Sequence, residues 1–381
     1  IDEINSVEKT PFDKVIEFIV DECDKAAPEL PVSYKDFYNE TGRATRGMAM
    51  SVKARALLYA ASKLHNPSHA TDKWEKAAKA AYDIIQTGWY TLPNIDVDPL
   101  YDVNGGNVIL NSSQLIFERR NNDDNAFESR NLPIGFENGN SGNTPTQNLV
   151  DAYEMADGTP FSWENTKHAS KPYSGRDPRF YKAILYNEAS FMGTKIETFE
   201  GGRNASPITG ATLTGYYLRK YMNETVSLSP TNPIKKPHHF VLFRYAETLL
   251  NYAEAMNELG GPDYTADELP ISARTALNKV RSAANMPDIT DNGDDFTARL
   301  RNERRVELAF EDHRFWDIRR WMIGDVVKDI YGVKITKKGS KYSYTPTKIQ
   351  TRVWNEKMNL YPIAQSEIYK NGNLTQNDGW E

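Results

Sequence analysis

The segment from Arg301 to Trp321, RNERRVELAFEDHRFWDIRRW, limits the possible folds more than any other stretch. Six Arg, five Asp or Glu and four aromatic residues share its 21 positions. If the segment is helical, like charges such as Glu303 and Glu307 lie one turn apart, which is mildly unfavourable in an isolated helix. We therefore expect these charges to find partly buried partners on other elements. The predicted structural ion-pair network comprises Glu303, Arg304, Glu307, Arg314 and Asp317, and one predicted helical face carries Glu303, Val306, Phe310 and His313.

The composition is that of a globular chain and carries no footprint of nucleic-acid binding. There are 46 Lys and Arg against 52 Asp and Glu, a net charge of −6, and no basic tract of five or more residues. Nucleic acid and anionic lipid are therefore not predicted partners. No run of 18 apolar residues occurs, so no transmembrane helix is predicted. The chain opens with IDEINSVEKT, without a Met or a signal peptide, and we expect that an upstream part has been removed.

Apolar residues recur with helical spacing at both ends of the chain. The first predicted helix runs from about Pro11 to Leu30, and it includes the single cysteine, Cys23, as a core residue. Two helical pairs follow, with apolar stripes at 49–60 and 74–85, and then at 241–259 and 273–284. The frequent Ala residues permit close crossing of helices, as in tetratricopeptide-like (TPR-like) stacks. A capping box of Asp72 and Glu75 is predicted before the second helix of the first pair.

The helical spacing fades between Tyr90 and Phe240. From Asn104 to Asn148, 11 of 45 residues are Asn, a composition that favours turns. Short strands are predicted near Leu115–Phe117 and Tyr216–Arg219. The predicted fold is therefore mostly α, with TPR-like helical pairs packed with a loop-rich layer that contains a few short strands. We expect functional loops carried on a rigid helical base.

The order ERR, ELAFE, HRF and WDIRRW resembles the C-terminal signature of the SusD/RagB family of outer-membrane nutrient-binding lipoproteins. PTQNLVDAYEMADGTP, GRDPRFYKAILYN and FRYAETLLNYAEAMNELG resemble further landmarks of that family, in the same order. The resemblance extends over essentially the whole chain. Ala364, where the family usually has Pro, is a small departure.

The resemblance implies a single SusD-like domain over residues 1–381. Residues 1–90 would form a helical TPR-like part, 91–239 a loop-rich ligand-binding part, and 240–381 a C-terminal helical part. It further implies a cell-surface lipoprotein of the outer membrane, whose N-terminal lipid anchor is absent from this chain. Such a protein captures oligosaccharides, or in some members peptides or glycopeptides, for a SusC-like TonB-dependent transporter. Neither catalysis nor a cofactor is implied.

Capture of a sugar requires flat aromatic faces for the ring and polar groups at the rim for the hydroxyls. Two loop segments have this mixture: 118–140, rich in Asn and Asp, and 187–239, with several Phe and Tyr. Trp163, in an irregular stretch, is a further exposed candidate. The predicted ligand-binding residues are Arg119, Asn121, Asp123, Phe136, Asn138, Trp163, Phe191 and Phe199.

Three alternatives remain open. Glu303, Glu307 and Glu311 could serve a glycoside hydrolase, with His313 or Asp317 as helpers, although the surrounding Arg would lower the carboxyl pKa values and spoil a general acid. The chain could bind peptides with the same fold, or it could be a TPR-type adaptor for other proteins.

The acidic segment 288–295, DITDNGDD, lacks the ligand spacing of a calcium loop, and no metal site is predicted. Asp294 or Asp295 is instead expected to cap the helix that starts near Phe296.

Overall fold

The computed structural model describes residues 6–34, 42–102 and 112–380. The α-helices in these residues are α1 (Phe12–Glu29), α2 (Arg46–Ala61), α3 (Thr71–Ile85), α4 (Ala126–Asn131), α5 (Gln147–Val150), α6 (Thr166–Ser170), α7 (Pro178–Ala183), α8 (Tyr245–Gly260), α9 (Ala273–Ala283), α10 (Gly293–Glu307), α11 (Arg314–Arg320) and α12 (Gln365–Lys370). Short 3₁₀ turns lie at Pro99–Tyr101, Gly324–Val327 and Glu356–Asn359.

The strands are β1 (Leu115–Asp124), β2 (Ile184–Leu185), β3 (Ser190–Phe191), β4 (Thr194–Lys195), β5 (Tyr217–Leu218), β6 (Lys236–Arg244), β7 (Asp329–Lys338) and β8 (Lys341–Thr351). They form four antiparallel two-stranded sheets, which pair β1 with β6, β2 with β5, β3 with β4, and β7 with β8. The predicted class, mostly α with a few short strands, is confirmed. Within the residues that the structure describes, no helix is both long and apolar enough to cross a membrane.

The helical core is built from the two predicted pairs. Helix α3 packs against both α2 and α8, and α8 packs against α9. Alanines such as Ala61, Ala78 and Ala253 lie at these crossings and are fully buried. Their small side chains let the helix axes approach closely, so the four helices form one base under the loops.

Three details of the sequence-based prediction are wrong. Val241 belongs to β6 rather than to a helix, because β6 pairs with β1 up to Arg244, and α8 begins only at Tyr245. The Asp72 capping box does not form, since the N-cap of α3 is Ala70, two residues before Asp72, and no side chain caps the helix. Helix α10 follows Asn292, which leaves Asp294 and Asp295 inside its first turn.

The segment 301–321 is not one helix. Helix α10 ends at Glu307, and α11 begins at Arg314. Between them Phe310 (φ 63°) and Asp312 (φ 62°) adopt the left-handed conformation that a continuous helix excludes. The predicted face shared by Glu303, Phe310 and His313 is therefore wrong, because the break in the helix takes Phe310 and His313 out of the helical register of Glu303.

Candidate functional site

Charged side chains of α10 join this helix to α7 and to the end of β6. Arg179 of α7 binds Glu303 Oε1 at 2.5 Å and Glu307 Oε2 at 2.8 Å. Arg244, the last residue of β6, binds the other oxygen of Glu307 at 2.5 Å. These four side chains are at most 6% exposed. We call them and the ion pairs that continue from them the ion-pair network.

The network continues beyond the end of α10. Glu311 accepts from the buried Lys220 at 2.6 Å. Asp317 of α11 accepts from Arg304 at 3.0 Å and from Arg320 at 2.9 Å. Four of the five predicted members thus lie in buried ion pairs that brace α7, α10, α11 and β6.

The electrostatics of the network are those of permanently ionised pairs. Burial alone would raise the pKa of Glu307, but Arg244 and Arg179 lower it to about 2. The pKa values of Glu311 and Asp317 are also lowered, because the attraction of their cationic partners outweighs burial. Burial lowers the pKa of His313 to about 4. A carboxylate with so low a pKa cannot supply a proton near neutral pH, so Glu307 is unsuited to general-acid work.

Arg314, the fifth predicted member, stands apart from the network. Among the residues that the structure describes, no carboxylate oxygen lies within 4.0 Å of its guanidinium. Burial lowers the pKa of this half-buried side chain, and only the field of Asp317 opposes that shift. Arg314 lines a cavity instead.

This cavity, which we call the aromatic cleft, has a volume of ≈ 450 Å³. Its polar lining includes Asn143, Asp312 and Arg314. Five half-buried aromatic side chains contribute to its wall, namely Phe127, Tyr221, Phe240, Phe310 and Phe315. Aromatic faces beside a few polar groups are the usual make-up of a small-molecule site.

The rings reach the cleft from four parts of the chain. Phe240 lies on β6 and Phe127 on α4. Tyr221 has a φ of 67°, and its ring lies 5.8 Å from that of Phe240. The left-handed turn after α10 presents Phe310, and Phe315 follows at the start of α11. The cleft therefore depends on two unusual backbone positions, Tyr221 and Phe310, which short-range sequence patterns do not reveal.

Two of the predicted ligand-binding residues lie beside the cleft. In the β1–β6 ribbon, Arg119 stands opposite Phe240, and Asn121 stands opposite His238. Directly opposed residues of an antiparallel pair share one face, so Arg119 and Asn121 emerge on the Phe240 side. Both are exposed, as is Asp123 nearer the end of β1.

Another predicted group lies in a separate loop cluster. Phe191 is only 1% exposed and packs edge-on against the half-buried Phe136, with ring centroids 5.5 Å apart. Neither face of the Phe191 ring is available to a ligand in this conformation. Asn138 is exposed and donates to the backbone oxygen of Leu228 at 2.9 Å.

The rings of the last two candidates contact other parts of the protein. Trp163 is half-buried, and its indole N–H donates to Asp151 at 3.1 Å. Phe199 is half-buried beside Tyr342, with ring centroids 5.6 Å apart, and the ammonium group of Lys337 lies 4.5 Å from its centroid. The structure thus does not bring Trp163, Phe199 and Phe136 together with Arg119.

In the part of the chain that the structure describes, no group of three or more His, Cys, Asp or Glu is placed to hold a metal ion. The acidic residues of 288–295 instead lead into the start of α10.

The sequence profile of the SusD family matches residues 111–380. The chain belongs to the SusD family. A SusD-like protein of Formosa agariphila is 26% identical over 245 residues, which are 62% of this chain and 38% of that protein. A second SusD-like protein of the same organism is 35% identical over 102 residues, 26% of this chain and 19% of that protein. The chain therefore spans well under half the length of these curated relatives.

Solved structures agree with this membership. A SusD-like protein of Bacteroides fragilis superposes with a TM-score of 0.78 at 26% identity, over 98% of this chain and 72% of that one. A SusD-like carbohydrate-binding protein of the same organism also gives 0.78, at 27% identity, over 98% of this chain and 73% of that one. The predicted membership of the SusD/RagB family is confirmed.

Proposed function

We propose that this chain captures oligosaccharides at the cell surface and does so without catalysis. The observation that carries the proposal is the aromatic cleft, with five half-buried rings and the polar groups of Asn143, Asp312 and Arg314. Such rings can stack on the apolar faces of sugars, while the polar groups bind hydroxyls and set direction. A solved relative of the same fold is described as carbohydrate-binding, which supports this choice of ligand.

Arg119 and Asn121 belong to the proposed site because they emerge on the face of the ribbon that carries Phe240. In this proposal, residues 91–239 and 240–381 both contribute to the cleft, and residues 1–90 support it from the helical base. The absence of catalysis is supported by Glu303, Glu307 and Glu311, whose oxygens are occupied by Arg and Lys.

The proposed whole protein is an outer-membrane lipoprotein that delivers its ligand to a SusC-like TonB-dependent transporter. This part of the proposal rests on membership of the SusD family. Affinity purification of the tagged full-length protein from its own membranes should recover such a transporter. Recovery of soluble proteins alone, with no transporter, would favour a TPR-type adaptor.

Calorimetry against a panel of neutral and acidic oligosaccharides tests the ligand. We expect at least one to bind, and Phe240→Ala to weaken that binding about ten-fold, or ~1.4 kcal/mol, the size expected for one lost aromatic contact. The matched control is Phe136→Ala, a half-buried Phe of the separate loop cluster, which should leave affinity unchanged. No binding to any saccharide, together with binding to a peptide panel, would overturn oligosaccharide capture.

A further inference from the structure

A second, smaller cavity adjoins the aromatic cleft at Tyr221, which lines both. Its volume is ≈ 60 Å³. The five consecutive residues 219–223 after β5 contribute to its wall, together with the 237–239 part of β6. Five of its lining residues are cationic or can become so, namely Lys182, Arg219, Lys220, His238 and His239. We call it the cationic cavity.

The carboxylates that neutralise these groups are not part of the cavity wall. Lys220 is held by Glu311 at 2.6 Å, and Arg219 by Glu224 at 2.7 Å. His238 and His239 bind Glu128 and Glu118 in the same way. Among the described residues, Asp102 is the one acidic residue that lines the cavity. These ion pairs therefore hold the cationic side chains in place. Their carboxylates lie outside the cavity wall, which stays rich in hydrogen-bond donors.

Several of the polar groups around the cavity have unused hydrogen-bonding capacity. Lys182 is half-buried, and no carboxylate oxygen lies within 4.0 Å of its ammonium group among the residues described. Arg219 Nε and His239 Nε2 are buried and have no hydrogen-bond partner in the described part of the chain. An unpaired buried polar atom costs free energy, on the order of 1–3 kcal/mol. Because both atoms have almost no accessible surface, a donor that an anionic group in the cavity can reach is the ammonium group of Lys182.

The volumes of the two cavities assign different roles to them. One buried water needs roughly 10–15 Å³ of cavity volume. The cationic cavity, at ≈ 60 Å³, therefore holds about four water-sized groups. That is room for a carboxylate or a sulfate and too little for a pyranose ring. The cleft, at ≈ 450 Å³, has room for sugar rings.

We propose that the ligand is an acidic saccharide whose ring packs in the aromatic cleft while its carboxylate or sulfate enters the cationic cavity beside Lys182. This inference rests on the proposed function and narrows its ligand class. Carboxylate and sulfate share the chemistry that the cavity recognises, a compact anion with several acceptor oxygens.

Matched ligand pairs test the proposal. Oligogalacturonates are compared with their carboxyl-reduced forms, and sulfated galactan oligosaccharides with their desulfated forms, by calorimetry on the full chain. We expect at least one acidic ligand to bind, and its neutral counterpart to bind about ten-fold more weakly, as one charge-assisted hydrogen bond is lost. The two pairs distinguish a carboxylate ligand from a sulfated one.

Lys182→Gln should weaken binding of the acidic ligand about ten-fold and leave its neutral counterpart unaffected. Because Lys182 is half-buried and outside the ion pairs, this variant should fold normally. Lys338→Gln, an exposed lysine of β7, is the control for the change in net charge. Phe240→Ala should weaken both members of a pair alike.

The outcomes separate the two proposals. If saccharides bind and respond to Phe240→Ala, but acidic and neutral forms bind equally or Lys182→Gln has no effect, the acidic-ligand inference is overturned and oligosaccharide capture stands. The same holds if every saccharide that binds across the wider panel is neutral and neither acidic series binds. If no saccharide binds at all, both proposals fail together.

Discussion

The ion-pair network and the aromatic cleft use the same segment of sequence, yet they differ in how their polar groups are satisfied. In the network, Arg304 is 1% exposed and binds both Asp317 and the side-chain oxygen of Asn251. Arg314, at the start of the next helix, is half-buried, lines the cleft and has no carboxylate within 4.0 Å among the described residues. Arg304 has its hydrogen bonds inside the protein, whereas Arg314 lines the cleft without an ion-pair partner in the described part of the chain.

This difference shows that a dense run of charges in a sequence can form buried ion pairs rather than a site that is open to solvent. The network is the most highly charged part of the protein, but its groups neutralise each other, so it can hold helices together without attracting a ligand. The cleft has fewer charged side chains, and its Asp312 and Arg314 form no ion pair in the described part of the chain. Replacing Arg304 and Arg314 by Gln, one at a time, therefore measures effects on stability and on ligand binding separately.

Arg304→Gln should have the largest effect. Breaking a buried pair leaves an uncompensated charge, which costs about 3–5 kcal/mol of unfolding free energy. We expect a value near the lower end, about 3 kcal/mol, because Arg320 still binds Asp317. Urea denaturation measures this loss, and ligand affinity of the folded protein should be unchanged.

Arg314→Gln should show the reverse pattern. An open guanidinium that binds sugar hydroxyls contributes roughly 1–1.5 kcal/mol, so affinity should fall about five- to ten-fold. Unfolding free energy should change little, since no ion pair is lost. Calorimetry and urea denaturation on the same preparation check both expectations. Arg352→Gln, at an exposed arginine beyond β8, is the control for the change in net charge. If Arg314→Gln lowered unfolding free energy as much as Arg304→Gln, the contrast between the cleft and the network would be wrong.

Much of the fold could be predicted from the sequence because a helix with one apolar stripe can be recognised from a short stretch of residues. The stripes at 49–60, 74–85 and 273–284 all correspond to helices of the base. The failures occurred where a distant partner decides the conformation. Val241 continues the apolar spacing of α8, but pairing with Glu118 of β1 makes it a strand residue.

The candidate site was harder to predict, because its members are brought together only by the tertiary structure. Loop composition predicts Arg119 and Asn121 as ligand-binding residues, but it does not predict Phe127, Phe240, Phe310 or Phe315. Helical spacing places Phe310 on a helical face, and the left-handed turn at Phe310 has no local signature. The loop-rich segment predicts an available Phe191, yet its ring is in a core cluster.

The pH dependence of the β1–β6 ribbon should be a smaller effect. Burial opposes the charged form of His238, but the hydrogen bond with Glu128 at 2.9 Å and the nearby Asp124 raise its pKa above the usual 6.5. A raised folded-state pKa stabilises the protein fully below pH 6.5, and that contribution is lost as pH rises through the folded-state value. Lys182, Arg219 and Lys220 line the same cavity as His238. The neighbouring His239 binds Glu118 on the opposite face of the ribbon.

Thermal melts of the wild type and of His238→Gln, recorded from pH 5.5 to 8, measure this contribution. The difference in melting temperature between the two proteins should shrink as pH rises. A difference that stays constant over this range would show that the His238 contact with Glu128 is a neutral hydrogen bond.

The smallest effect is expected at an exposed ion pair. Glu200 and Lys334 lie 2.9 Å apart, a distance as short as those in the network, but both side chains are 56% exposed. Water already solvates these charges, so Glu200→Gln should change unfolding free energy by less than about 0.5 kcal/mol. Urea denaturation at low and high salt would measure it. The exposed pair and the buried pairs have similar distances. A loss of unfolding free energy near that of Arg304→Gln would therefore mean that contact rather than burial sets the cost of breaking a pair. A negligible loss would assign the stability of the network to the exclusion of water around it.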